Sequence, residues 1–224
     1  MNDLSSLKIS KPPATLRVMA LDKLRDAIIG GLFEPGQRLV ERALCDQLGV
    51  SRTVIREVIR HLESEGLVEV IPNQGPAVSR LDWDTAAQIY DIRARLEADA
   101  AAACASTISG NDLAALRQSL EALEADSKGK DARSMIAATT DFYRTIFLCA
   151  GHTIAWEIVD RLNGRISRLR VLTLSSGNRL QTGPKRMRQI FKAIADGKPD
   201  SAAAACRTHL AEARAIAQRA LTGN

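Results

Sequence analysis

Arg52, Arg56 and Arg60 recur every fourth residue through the segment GVSRTVIREVIRHLESEGL, Gly49–Leu67. Residues four apart share a helix face. The spacing therefore lines up three guanidinium groups along one edge, with Thr53 beside the first. A guanidinium forks onto a guanine edge or a phosphate, and a threonine meets a phosphate or a thymine methyl. The chemistry on offer is recognition of a polyanion inside a groove. Taken alone, the helix is equally well an ordinary amphipathic helix with solvated arginines.

The elements that must hold those arginines are legible around them. Ile55, Val58, Ile59 and Leu62 fall at i, i+3, i+4 and i+7, one apolar stripe for burial. Ser51 is placed to cap the helix start and Gly66 to end it. Upstream, Leu16, Met19, Ala20, Leu24, Ala27 and Ile28 predict a first helix closed by Gly30-Gly31. Pro35-Gly36 predicts a turn, and Glu41–Leu48 a short second helix broken by Gly49. Two short helices joined by a tight glycine turn, the second lined with arginine, form a helix-turn-helix signature. Arg42 would face a flanking phosphate. Downstream, LVEVI and AVSRL alternate as strands around the turn Pro72–Pro76. This hairpin is either a wing whose tip enters the minor groove, at Gln74 and Gly75, or a plain cover for the core.

Beyond residue 80 the pattern turns entirely helical. Asp82 is a candidate cap for a long helix from Trp83 to about Ser106. Further helices are predicted at about Asn111–Lys128, Asp131–Ala150, Thr153–Leu174, Pro184–Asp196 and Asp200–Leu221, punctuated by Gly110, Gly129, Gly151, Gly177 and Gly197. The expected architecture is mainly α. A polar, disordered arm (1–14) precedes a helix-turn-helix with a wing (15–80), and a six-helix bundle (81–224) follows.

Composition bounds the class. The chain has 224 residues, is 46% hydrophobic, and contains no apolar run long enough to span a bilayer and no signal peptide, so a cytoplasmic protein without membrane contact is expected. Cys45, Cys104, Cys149 and Cys206 include no Cys-x-x-Cys pair and are expected to be reduced core residues. The net charge is +5, distributed unevenly. Residues 1–80 carry 11 Lys+Arg against 10 Asp+Glu, residues 81–130 carry 5 against 9, and residues 131–224 carry 15 against 7. The reading half is close to neutral, so its case rests on where its arginines sit. The positive excess of the last third suits an anionic ligand or simply solvated helix faces.

The segment RDAIIGGLFEPGQRLVERALCDQLGVSRTVIREVIRHLESEGLVEVIPNQGPAV closely resembles the winged helix-turn-helix of GntR-family bacterial transcription regulators. IYDIRARLEADAAAACA, DFYRTIFLCAG and IFKAIADGKPDSAAAACRTHL, in that order, resemble the FadR-type effector bundle, the FCD domain, and the six-helix count resembles its shorter VanR-like variant. The resemblance implies DNA contacts at Arg42, Ser51, Arg52, Thr53 and Arg56, with Gln74 and Gly75 at the wing tip. Val54 departs from it, since the family usually places Pro there, and Pro preorganises a first turn. The resemblance also implies an operator-binding homodimer, with reader helices about 34–36 Å apart, controlled by a small-molecule effector. Repression is the commoner mode in the family, and activation stays open.

The metal ligands of the family fall here on Thr139, Tyr143, Met187 and His209. Only His209 keeps a ligand side chain, and one imidazole with Thr, Tyr and Met is no site for a transition metal. No metal or other cofactor is expected. The resemblance places Arg93 toward the effector, so Arg93, Thr139, Tyr143, Met187 and His209 are the candidate pocket, with Arg165 and Arg168 in reserve. An organic acid held by Arg93, Tyr143 and His209 is one reading. An uncharged or aromatic effector beside Met187 is another. Arg93 can instead pair with Glu97, and His209 with Tyr143. His152, at a helix junction, is expected to cap, and Asp141 to point away from the pocket.

An enzyme is not expected: no Ser-His-Asp order, phosphate loop, paired carboxylates or metal cluster appears. A non-specific architectural DNA binder would not need the second domain, and binding that survives excess random DNA separates the two. Elemental analysis of the purified chain should find no stoichiometric transition metal. One tightly bound equivalent, lost in His209→Ala, would overturn that expectation.

Overall fold

The computed structural model describes residues 16–126, 132–174 and 179–223. The arm expected at 1–14, and the glycines at 129 and 177, lie outside the described residues. The chain divides into two compact units between Val78 and Ser79.

The first unit is α1 (Leu16–Ile29), α2 (Glu41–Leu48), α3 (Arg52–Ser64), β1 (Val68–Ile71) and β2 (Gly75–Val78). Helix α3 buries Ile55, Val58, Ile59 and Leu62, the stripe its spacing predicts. Ser51 caps it in extended backbone, its Oγ accepting the Val54 N–H at 3.4 Å. The departure at position 54 thus has a use, because Val54 keeps a donor that Pro lacks. Helix α1 buries Ala20, Leu21, Leu24 and Ile28 against α3, while Leu16 and Met19, expected inside, stay exposed. The buried line therefore runs through Leu21, Leu24 and Ile28, at i, i+3 and i+7, beside Ala20. Arg25 ties the two helices through a 2.6 Å bond to Glu65.

The hairpin pairs Val68 with Val78 and Ile71 with Gly75, antiparallel, around Pro72, Asn73 and Gln74. Asn73 (φ 62) and Gly75 (φ 86) take the left-handed backbone that the turn requires. A third segment joins it. Arg38 bridges Ala77, the Leu39 N–H donates to Pro76, and the Val78 N–H donates to Gln37.

The second unit is all helical: α4 (Trp83–Thr107), α5 (Gly110–Asp126), α6 (Ala132–Cys149), α7 (Thr153–Arg161), α8 (Asn163–Leu174), α9 (Arg179–Ala195) and α10 (Pro199–Thr222). Asp82 caps α4 by accepting the Thr85 N–H at 2.7 Å. Among the described residues seven helices stand where six were expected, because Thr153–Leu174 is broken. Leu162 leaves the α ladder, its N–H turning back to Val159, just before Asn163-Gly164. Both of those residues are poor helix formers. Helix α9 also starts earlier than expected, carrying Pro184 inside it. Helices α4 and α10 form the central pair, with α9 across them and α5 on α6. Alanines at 98, 100, 101, 202 and 203 are buried and allow close helix approach. Among the described residues no helix is long and apolar enough to cross a membrane.

Leu62 is fully buried in the small core of the first unit. Leu62→Ala should cost about 2–5 kcal/mol, lowering the urea midpoint of this unit while the bundle transition stays put.

Candidate functional site

Two places concentrate polar chemistry. The first is the outer face of the first unit. Arg42, Ser51, Arg52, Thr53, Arg56 and Gln74 are all exposed there, and Gly75 is partly covered. Their common outward direction follows from the buried α3 stripe: a helix that turns Ile55 and Leu62 inward must turn Arg52 and Arg56 outward. Arg56 Nε lies 3.1 Å from Glu41 on α2. This pair is surface-exposed and worth at most about 1 kcal/mol, so a phosphate can compete for the guanidinium. Arg38, Arg42 and Arg52 line one groove of about 320 Å³ beside Pro76. Sequence reading passed over Arg38, because it lies in what read as a turn. The bridge to Ala77 brings it beside the other two, and no local spacing encodes that pairing.

The second place is a cavity of about 40 Å³ inside the bundle, lined among others by Tyr90, Arg93, Thr139, Arg170, Met187 and His209. Four of the five candidate pocket residues meet here: Arg93, Thr139, Met187 and His209. Tyr143 does not line it. Its ring is buried, 6.4 Å between centroids from His209, and its hydroxyl lies 3.9 Å from Cys206 Sγ. Burial, with Cys206 beside it, pushes the Tyr143 hydroxyl pKa well above its ordinary value, so it stays neutral. Thr139 spends its hydroxyl on the Met135 carbonyl at 2.7 Å.

Arg93 and Glu97 form a fully buried ion pair, Nε to Oε1 2.6 Å. Burial works against the Arg93 charge, but the Glu97 carboxylate outweighs it and raises the pKa above the usual arginine value. Arg170 is the residue that sequence reading missed. Its Nη1 donates to Thr140 Oγ1 at 2.5 Å, an uncharged partner. Burial, reinforced by the Arg93 charge nearby, lowers its pKa to about 10. The described cavity lining therefore holds two guanidiniums, one of them paired with Glu97 behind it. Of the reserve candidates, Arg168 donates to the Ser79 carbonyl at 2.5 Å, and neither it nor Arg165 lines the cavity. His152 sits at the α7 N-cap without a side-chain cap bond, and Asp141 is exposed beside Arg144. A wider groove between α9 and α10 lies open to solvent, its Arg186 already paired with Glu212.

Among the described residues no three His, Cys, Asp or Glu side chains come together to hold a metal. His209 beside Thr139 and Met187 does not fit a divalent ion. The four cysteines carry no disulfide; Cys104 and Cys206 are buried, and Cys45 and Cys149 partly so.

An arginine-faced winged helix-turn-helix joined to a helical domain with a polar cavity defines a transcription regulator. Residues 16–78 match the model of bacterial regulatory proteins of the gntR family, and residues 88–212 match the FCD domain. The chain belongs to the GntR family, in its FCD-bearing FadR subfamily, and is not an enzyme. It is 30% identical over 188 residues to a helix-turn-helix regulator from an unstable DNA locus of Streptomyces ambofaciens, covering 84% of this chain and 79% of that one. It is 24% identical over 189 residues to the repressor RspR of Escherichia coli K12, covering 84% and 83%. Its fold matches E. coli McbR/YncC with a TM-score of 0.78 at 23% identity, covering 94% of this chain and all of that one.

Arg52→Ala and Arg56→Ala should each weaken binding to the chain's own operator by about 1–3 kcal/mol, with circular dichroism unchanged. Electrophoretic mobility shifts check this, and wild-type affinity in either variant would remove that residue from the interface.

Proposed function

We propose that this chain binds a near-palindromic operator as a homodimer, represses transcription, and is released or retained by a small organic acid in the bundle cavity. Arg42, Ser51, Arg52, Thr53 and Arg56 contact DNA, with Gln74 and Gly75 at the wing tip. Arg93, Thr139, Met187 and His209, joined by Arg170, surround the effector. Tyr143 supports His209 from behind rather than touching the ligand. Likeness to a repressor supports the sign of regulation.

The observation that carries the effector class is Arg170. Glu97 is committed to Arg93, and among the described residues the hydrogen bond of the part-buried Arg170 guanidinium goes to a hydroxyl rather than to a carboxylate. An anion entering the cavity supplies the charge-assisted bond that Arg170 lacks. A neutral or aromatic ligand beside Met187 would leave that deficit untouched. The cavity volume also bears on mechanism. One water occupies roughly 10–15 Å³ by this measure, so about 40 Å³ receives only a few heavy atoms. A larger acid has to part the helices that line it, and that movement is what couples occupancy to DNA affinity. The shift cannot exceed the differential affinity of the ligand for the two states.

The test is a thermal-shift panel of small carboxylates and their neutral amides. A binding acid at 100 times its Kd should stabilise the wild type by about 2.7 kcal/mol. Arg170→Gln should lose that stabilisation and still bind operator. Equal stabilisation of wild type and Arg170→Gln by neutral compounds would overturn the anionic reading.

A further inference from the structure

The exposed large apolar side chains of the bundle, among the described residues, are Ile92 on α4, Leu148 at the end of α6, and Ile154 and Ile158 on α7. Three of them belong to two stripes of identical spacing. On α4 the stripe is Ile92, Arg95, Leu96, Asp99; on α7 it is Ile154, Glu157, Ile158, Arg161. Steps of three, four and seven residues keep each stripe on one helix edge. The charges run in opposite order, base before acid on α4 and acid before base on α7. Arg95, Asp99, Glu157 and Arg161 are exposed, and none forms an ion pair or hydrogen bond with the described chain. The neighbouring edge of α4 differs, since Asp91 there is held by Arg214 of α10.

Laid parallel and in register, the stripes set Ile154 on Ile92, Ile158 on Leu96, Glu157 on Arg95 and Arg161 on Asp99. Laid antiparallel over the same residues, they set Ile154 on Asp99 and Arg161 on Ile92, apolar against charged. Two α7 helices laid antiparallel can match their charges, but they then set Ile158 against Asp160 and Ile154 against Gly164. Helices α4 and α7 already touch within one chain, where these charges stay unpaired. A second copy can supply the complement that these charges lack within one chain. A two-fold interface needs one patch that carries both halves of the match, and adjacent α4 and α7 provide it.

We propose that α7 of one copy packs in parallel on α4 of a second copy, and reciprocally, as the homodimer interface of the bundle. This rests on the homodimer reading above and names its surface. The centre is apolar and the flanks are charged, the arrangement by which paired helices select partner and direction.

Light scattering after size exclusion, on the full chain, tests it. Wild type should be a dimer. Glu157→Arg and Arg95→Glu should each raise the dimer dissociation constant tenfold or more, and the combined variant should return toward wild type. Mixing Ile92→Cys with Ile154→Cys chains should give an oxidised cross-link between the two variants that neither gives alone; this readout does not depend on the charge variants folding. A monomeric wild type overturns the interface. So does a dimer indifferent to both reversals, a combined variant weaker than either single one, or no cross-link in the mixture. Selection of bound DNA from a random pool by wild type reports on the regulator separately. A symmetric motif recovered alongside an indifferent dimer removes this surface and leaves the regulator standing.

Discussion

The bundle is built around a charge it has to bury. Arg93 and Glu97 sit one helical turn apart on α4, the long central helix, and both are almost wholly out of solvent. Desolvating two ions costs several kcal/mol each, and close hydrogen-bonded geometry is what offsets it. An apolar pair would hold the helices at least as well, so stability alone does not account for these residues. What the pair does is place charge where the surrounding helices leave a cavity. Arg170 from α8 then lines a cavity beside a carboxylate that is already taken. The positive character of the wall follows from that one commitment, and the proposed preference for an anion rests on it.

The same division of faces governs both units, with opposite results. In α3 the apolar edge is inside and the arginines are outside, so function lies on the surface and the core only aims it. In α4 the polar pair is inside and Ile92 is outside. A helix that spends its inner face on a polar site has less apolar surface buried within its own unit. The residue it leaves in water lies on the surface proposed above for a second copy.

In the proposed mechanism, control of DNA affinity depends on the tightness of the cavity. A roomy, preformed pocket would accept a ligand without moving. A space of about 40 Å³ enclosed by Met187, His209 and the arginines does not. Close-packed interiors transmit such displacements instead of absorbing them. The Arg168 bond to the Ser79 carbonyl ties α8, the helix that carries Arg170, to the first residue of the second unit.

Much of this was present in the residue order. The stripe of α3, its Ser51 cap, the outward arginines, the wing hairpin and the all-helical second half depend on interactions within about four residues or across one tight turn. Periodicity and capping encode these directly. The pocket positions Arg93, Thr139, Met187 and His209 came from family resemblance, and the fold gathers them in one cavity. Other features were decided only by packing. Arg38 joined the groove of Arg42 and Arg52 through a bridge to Ala77, and Tyr143 turned its hydroxyl to Cys206 instead of the cavity. One expected helix broke at Leu162, and that break set the course of the segment bearing Arg170. Spacing along a chain says which residues share a face. It does not say what that face will meet, because the neighbour comes from a distant segment and its position is settled by the packing of the whole unit.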